Sequence, residues 1–115
     1  MLTIDALNAY GADTLSGIAR CLNNESLYLG LVEMLICDEK FDILDNAIKI
    51  RATEACLHVA RTLADTADSL ALTPLAQKLE MMTLCLQLQG DVAVLDKQLS
   101  IVRRGLEDLK TIQQA

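Results

Sequence analysis

At 115 residues the chain has room for one domain with a buried core and none for a second. Hydrophobic residues make up 52% but aromatic ones only 3%, so the core must come from Leu, Ile, Val, Ala and Met, and an all-α fold is the first expectation. A net charge of −6 argues against nucleic acid or an anionic membrane as partner, because both need a basic patch, and a basic or mixed protein surface is the better expectation.

The opening LTIDALNAYG sets Thr3 as the N-cap of a short helix that stops near Gly11. A second helix is expected to fill DTLSGIARCLNN, residues 13–24. Asn24 is placed to cap a third, ESLYLGLVEMLIC, in which Leu27, Leu31, Met34 and Leu35 repeat at helical spacing. DEKFDILDNAIKI gives a shorter helix with Phe41, Leu44, Ala47 and Ile48 on one side. The spacing then predicts a helix from about Ala52 to Leu70.

Thr73 and Pro74 read as the N-cap and first residue of the next helix, and so short a connection makes its two helices antiparallel neighbours. That helix carries Leu75, Leu79, Met82 and Leu86 and is expected to stop at Gly90. In the last segment Val92, Leu95, Leu99, Val102, Leu106 and Leu109 keep steps of three and four. Such a seam suits packing within a bundle and equally suits a dimeric coiled coil, which leaves a homodimer open. The sum is a single domain over residues 1–115, an up-and-down four-helix bundle preceded by short N-terminal helices.

Cys21, Cys37, Cys56 and Cys85 lie far apart, without CxxC pairing, inside apolar stretches. They read as small buried hydrophobes in a reducing compartment rather than as metal ligands or a disulfide framework. No targeting segment opens the chain, and the longest apolar run, LYLGLVEMLIC, is interrupted by Glu33 and short of the roughly 20 residues a membrane span needs. A cytoplasmic protein with no metal and no cofactor is expected.

The only histidine lies in ACLHVARTLADTADSLALTPL, residues 55–75. At about 100° per residue, Cys56, Leu57, Ala60, Leu63, Ala64, Ala67 and Leu70 form the buried stripe of this helix. Glu54, His58, Arg61, Thr62, Asp65, Asp68 and Ser69 fall on the other side as a candidate binding face of mixed charge. Glu54 with His58 and Arg61 with Asp65 are spaced as i, i+4 pairs. A lone solvent-facing imidazole suits a proton carrier or nucleophile, and also an ordinary surface position. No triad, phosphate loop or HExxH pair is present, so no enzyme is expected, only a phosphocarrier at most, through His58.

These residues resemble the signature helix of histidine-containing phosphotransfer (HPt) domains, whose motif reads approximately AAF-x-AAH-x-LKG-xxGN-L-ALTPL. The likeness extends upstream through LTIDALNAYGADTLSGIARCLNNESLYLGLVEMLICDEKFDIL and covers about residues 2–80. It implies a four-helix bundle that presents one phosphorylatable histidine and docks a response-regulator receiver domain or a histidine kinase. Anchoring on LALTPL, with Leu57 at the Phe position and Leu63 at the Leu of LKG, puts Arg61 where the family has its acceptor histidine. Ala64 then stands at the lysine, Asp65 and Asp68 at the two glycines, and Ser69 at the asparagine.

A rival register puts His58 itself at the acceptor position, with Arg61 as the basic residue three later, but abandons the Leu57, Leu63 and LALTPL matches. In the favoured register a guanidinium, which stays protonated, replaces the nucleophile. Two carboxylates also stand where phosphate oxygens would approach, and the helpful lysine charge is gone. The resemblance therefore implies a degenerate member that binds signalling partners without carrying phosphate. The alternatives are an active phosphotransfer protein using His58 and a dimeric structural bundle.

Overall fold

The computed structural model describes residues 2–88 and 92–114. Among them every regular element is a helix: α1 (Ile4–Tyr10), α2 (Thr14–Arg20), α3 (Glu25–Ile36), α4 (Lys40–Lys49), α5 (Thr53–Ser69), α6 (Thr73–Gln87) and α7 (Val92–Gln114). The fold is all-α.

Side-chain caps start the first three helices. Thr3 accepts from the Ala6 N–H at 3.1 Å and Asn24 from the Leu27 N–H at 3.0 Å, both as the sequence predicts. Asp13 caps α2 through the Ser16 N–H at 3.2 Å, and the Ser16 hydroxyl adds a second bond at 2.8 Å. These two bonds hold the Asp13 carboxyl below the ordinary carboxylate range. Each cap satisfies a donor that the helix itself leaves without a partner.

Helix α2 is shorter than the 13–24 segment assigned to it. Leu22 and Asn23 are both left-handed, at φ 58° and 59°, and the Asn23 N–H closes onto the Ile18 carbonyl at 2.9 Å. Two successive left-handed residues turn the chain, so α3 starts afresh at its Asn24 cap.

Helices α4 and α5 end in the same way. The Ala52 N–H bonds the Ala47 carbonyl at 3.0 Å around left-handed Arg51, and the Leu72 N–H bonds the Ala67 carbonyl at 2.9 Å around left-handed Ala71. Both are Schellman closures, which favour glycine at the left-handed position. Arg51 is exposed at φ 61°, and a side chain there costs free energy that glycine avoids. Arg51→Gly is expected to raise stability by about 0.5–1 kcal/mol in urea titration.

The buried core draws on α1 and on α3 to α7, from Leu7 to Leu109, and half-buried Ile18 of α2 packs against it. Helix α5 packs on α4 and most extensively on α6, which in turn packs on α7; α7 also meets α1, α3 and α4. The buried side of α5 is made mostly of small residues, Cys56, Ala60, Ala64 and Ala67 around Leu63, and small residues let neighbouring helices come close. Leu57 is half-buried and Leu70 buried at the edge of the same stripe. The predicted inward residues of α4 and α6 are all buried.

Three expectations need correction. In α3 the inward side is Tyr28, Val32, Leu35 and Ile36, while Leu27 and Met34 are 45% and 70% exposed and Leu31 is half-buried. This helix is apolar around most of its circumference, so periodicity does not choose its inner side. Tyr28 does, because its buried hydroxyl needs the Leu70 carbonyl, 2.8 Å away.

Thr73 is not a cap: it is the first residue of α6, behind Leu72, and no side chain caps the helix. The closure of α5 fixes Leu72 as the joint of both helices and moves the start of α6 one residue earlier, with Pro74 still in its first turn. Finally, only Cys21 and Cys56 are buried; Cys37, just past α3, is exposed and Cys85 is half-buried.

Along α7, Val102, Leu106 and Leu109 are buried, and Leu95 and Leu99 pack half-buried on the core, so this seam is used within the chain. The expected stop at Gly90 and the side chain of Val92 lie outside the described residues. Among the described residues no helix is long and apolar enough to cross a membrane.

Candidate functional site

The outward face of α5 holds the residues the sequence singled out. Glu54, His58, Arg61, Asp65, Asp68 and Ser69 are exposed, and Thr62 is half-buried. His58, Arg61 and Asp65 follow one another at steps of three and four along one side of the helix.

The hydroxyls on this face are used locally. Thr62 Oγ1 donates to the His58 carbonyl and Thr66 Oγ1 to the Thr62 carbonyl, each at 3.0 Å. The two anticipated i, i+4 pairs do not form. The ion pairs among the described residues join Lys40 to Asp38, Lys49 to Asp45, Arg103 to Asp42 and Lys110 to Glu107. Pairing of exposed side chains is worth so little that solvent competes with it. The Arg61 guanidinium and the Asp65 carboxylate make no ion pair among the described residues.

Beside this face a groove of about 550 Å³ runs between α3 and α5. Leu31, Met34, Leu35 and Leu70 give its apolar wall, and Asp38, Asp65, Thr66 and Ser69 its polar edge. The misassigned side of α3 thus faces outward for a structural reason. Leu27, Leu31 and Met34 continue the groove as an apolar strip next to the polar face of α5, an arrangement typical of protein-binding surfaces.

The C-terminal end of α5 is clamped by the N-terminal region. Arg20 donates from one guanidinium nitrogen to the carbonyls of Asp68 and Ser69, at 2.7 and 3.2 Å. Tyr28 donates to Leu70 at 2.8 Å, and the Asp13 N–H donates to Ala71 at 2.9 Å. Four successive carbonyls at the end of α5 thereby accept from the N-terminal region, Asp68 in addition to the Ala71 N–H that already bonds it, with a cation at the negative end of the helix. The clamp fixes Asp68, Ser69 and the floor of the groove.

Sequence reasoning missed Arg20, Tyr28 and Asp13, because each acts across 42 to 58 residues of chain, beyond the reach of local periodicity. The buried Tyr28 hydroxyl gives the clearest test. Tyr28→Phe is expected to cost about 1–2 kcal/mol, measured by chemical denaturation, since it leaves the Leu70 carbonyl unsatisfied.

Among the described residues no three His, Cys, Asp or Glu side chains converge as metal ligands. Tyr10 is the remaining buried polar group: its hydroxyl lies near the Leu75 backbone and Asp108 without closing a hydrogen bond, and burial above all pushes it up to about 12. It sits away from the α5 face and adds nothing to the site. No family model, curated protein or solved structure matches the chain.

Proposed function

We propose that this chain is an HPt-like module of two-component signalling, a cytoplasmic pseudo-phosphotransfer protein that binds a receiver domain or a histidine kinase without carrying phosphate. The observation that carries the reading is the exposed Arg61, without an ion-pair partner among the described residues, at the position the resemblance gives to the acceptor histidine. In this reading α5, α6 and α7 are three members of a four-helix bundle, and α3 with α4 makes the fourth. Helix α2, with its cap Asp13, and Tyr28 of α3 hold the end of α5.

The chemistry follows from what replaces the motif. A guanidinium accepts no phosphoryl group, but it pairs with carboxylates in fixed fork geometry. A receiver domain presents such carboxylates in its acidic pocket, so Arg61 supplies the attraction that a phosphohistidine cannot. The groove along Leu31 and Met34 supplies apolar area beside it. Asp65 and Asp68 repel phosphate oxygens and the pocket's own carboxylates alike, so the attraction rests on Arg61.

Binding of a purified receiver domain, followed by calorimetry, tests this. Arg61→Glu is expected to weaken binding at least about tenfold while leaving the circular dichroism unchanged, as reversal of an interfacial charge does. Unchanged affinity would remove Arg61 from the interface.

A further inference from the structure

Helix α3 carries a second helical seam, on the side turned away from the core. Leu27, Gly30, Leu31 and Met34 stand at positions i, i+3, i+4 and i+7 with no charged residue among them, and Leu31 and Met34 belong to the apolar wall of the groove. Gly30 is the unusual member. A glycine inside a helix is less stable than alanine, and a close approach by another segment is the ordinary reason for one.

Gly17 has that reason within the chain, since the Tyr28 ring and the Leu70 carbonyl fill the space a side chain would take. At Gly30 an added methyl group would meet nothing within 4 Å among the described residues. The groove beside it is held open from behind: α3 packs on α2 and α7, and α5 on α4 and α6. The Tyr28 bond to the Leu70 carbonyl pins the two walls at one end, and a volume of about 550 Å³ has room for several bulky side chains.

The ionisable side chains that line the groove are Asp38 and Asp65, with no lysine, arginine or histidine among its lining residues. Lys40 bridges Asp38 at 3.4 Å, whereas Asp65 makes no ion pair among the described residues. Arg61 and His58 lie one and two turns back along α5, and Arg20 at the far end is engaged with the Asp68 and Ser69 carbonyls. The charge open to a ligand at the groove is therefore the Asp65 carboxylate.

We infer that the groove binds a basic amphipathic helix of a partner protein. Its bulky aliphatic side chains enter between α3 and α5, its backbone passes close to Gly30, and its lysine or arginine meets Asp65. A seam at i, i+3, i+4 and i+7 with a small residue in it suits a second helix at close range, and Met34 lets the surface adapt to it. Charge selects the kind of helix: the net −6 draws in a cationic segment, and Asp65 sets its register. The inference rests on the groove and not on the phosphotransfer resemblance, and it holds for any partner that carries such a helix.

The probe is a fluorescein-labelled Leu/Lys peptide of about 18 residues with its leucines at helical spacing, beside a Leu/Glu peptide of the same pattern. Fluorescence anisotropy is expected to give a micromolar dissociation constant for the first and one at least about tenfold weaker for the second. Amide shifts in nuclear magnetic resonance spectra are expected along residues 27–34 and 65–70. Gly30→Ala is expected to raise the urea midpoint and yet to weaken binding of the Leu/Lys peptide, and Gly30→Leu to weaken it at least about tenfold. Asp65→Asn is expected to weaken binding of the Leu/Lys peptide alone. Arg61→Glu, the variant that tests the proposed function, is expected not to weaken it, so the two readings fail separately.

Absence of binding overturns the inference, and equal binding of the two peptides overturns the choice of a basic helix. Shifts centred on Met81, Leu84 and Leu88, exposed on the outer side of α6, overturn the groove as its seat. Gly30 variants that fold and bind the peptide as the parent does overturn the close approach at α3.

Discussion

Raising the pH from 9 to 12 is expected to unfold the protein in one cooperative step. Burial pushes the Cys56 thiol up to about 11 and the Tyr28 hydroxyl up to about 12, and Tyr10 also rises to about 12. In the unfolded chain these groups ionise near their ordinary values of 9.0 and 10.0. A group that holds its proton more tightly when folded contributes stability that is complete below the unfolded value and is lost as the pH rises through the folded one.

The window is therefore pH 9–11 for Cys56 and pH 10–12 for the tyrosines. At roughly 1.4 kcal/mol per unit, the fully buried Tyr28 alone removes about 2–3 kcal/mol by pH 12, a large part of an ordinary domain's stability. Far-ultraviolet circular dichroism and tyrosinate absorbance are expected to change together above pH 10. Tyrosinate formation near pH 10 with the helices intact would show that the two hydroxyls are solvated.

Gly17→Ala is the substitution expected to cost most. On an exposed helix such a change stabilises, because alanine is the better helix former by roughly 0.5–1 kcal/mol. Here the added methyl group would overlap Tyr28 Cε1, lie 2.8 Å from Tyr28 Cζ and come within 3.0 Å of the Leu70 carbonyl oxygen. Two of these atoms belong to the ring whose hydroxyl closes the clamp, and the third is the acceptor it bonds, so the strain cannot be relieved without breaking that bond. Overpacking with loss of a buried hydrogen bond gives about 3 kcal/mol of destabilisation in urea titration. In a Tyr28→Leu background the same change is expected to cost less, because the overlapping ring is gone, though the Leu70 oxygen stays close. A neutral or stabilising Gly17→Ala would contradict the placement of α2 against α3 and α5.

What the sequence reveals depends on how locally a feature is encoded. The inward and outward sides of α5 are readable because its apolar and polar residues separate cleanly at 3.6-residue spacing; the buried positions of α4 and α6 follow the same rule. Thr3 and Asn24 are readable because a cap bonds only three residues ahead. The orientation of α3 is not, because Leu27, Leu31, Met34 and Leu35 are as regularly spaced as Tyr28, Val32, Leu35 and Ile36, and only Leu35 belongs to both sets. A distant carbonyl decides between them. The groove beside α5 exists only once that choice is made, so the candidate site was half legible: its charged face from spacing, its apolar wall from the fold alone.

The length of α2 was misjudged for a different reason. Its end depends on Leu22 and Asn23 taking left-handed backbone, and leucine gives no sign of that preference. The expected Arg61–Asp65 and Glu54–His58 pairs illustrate a third limit, since i, i+4 spacing permits an exposed pair without making it form.

Intact-mass spectrometry at neutral to alkaline pH tests most directly the proposed loss of phosphoryl acceptance at the Arg61 position. The purified chain is incubated with a phosphorylated receiver domain, and separately with a histidine kinase and its phosphodonor, beside an HPt domain known to accept phosphate. An unmodified mass is expected while the control gains a phosphoryl group. An acid-labile phosphoryl adduct mapped to His58, and abolished by His58→Gln, would contradict it and make the chain a working relay.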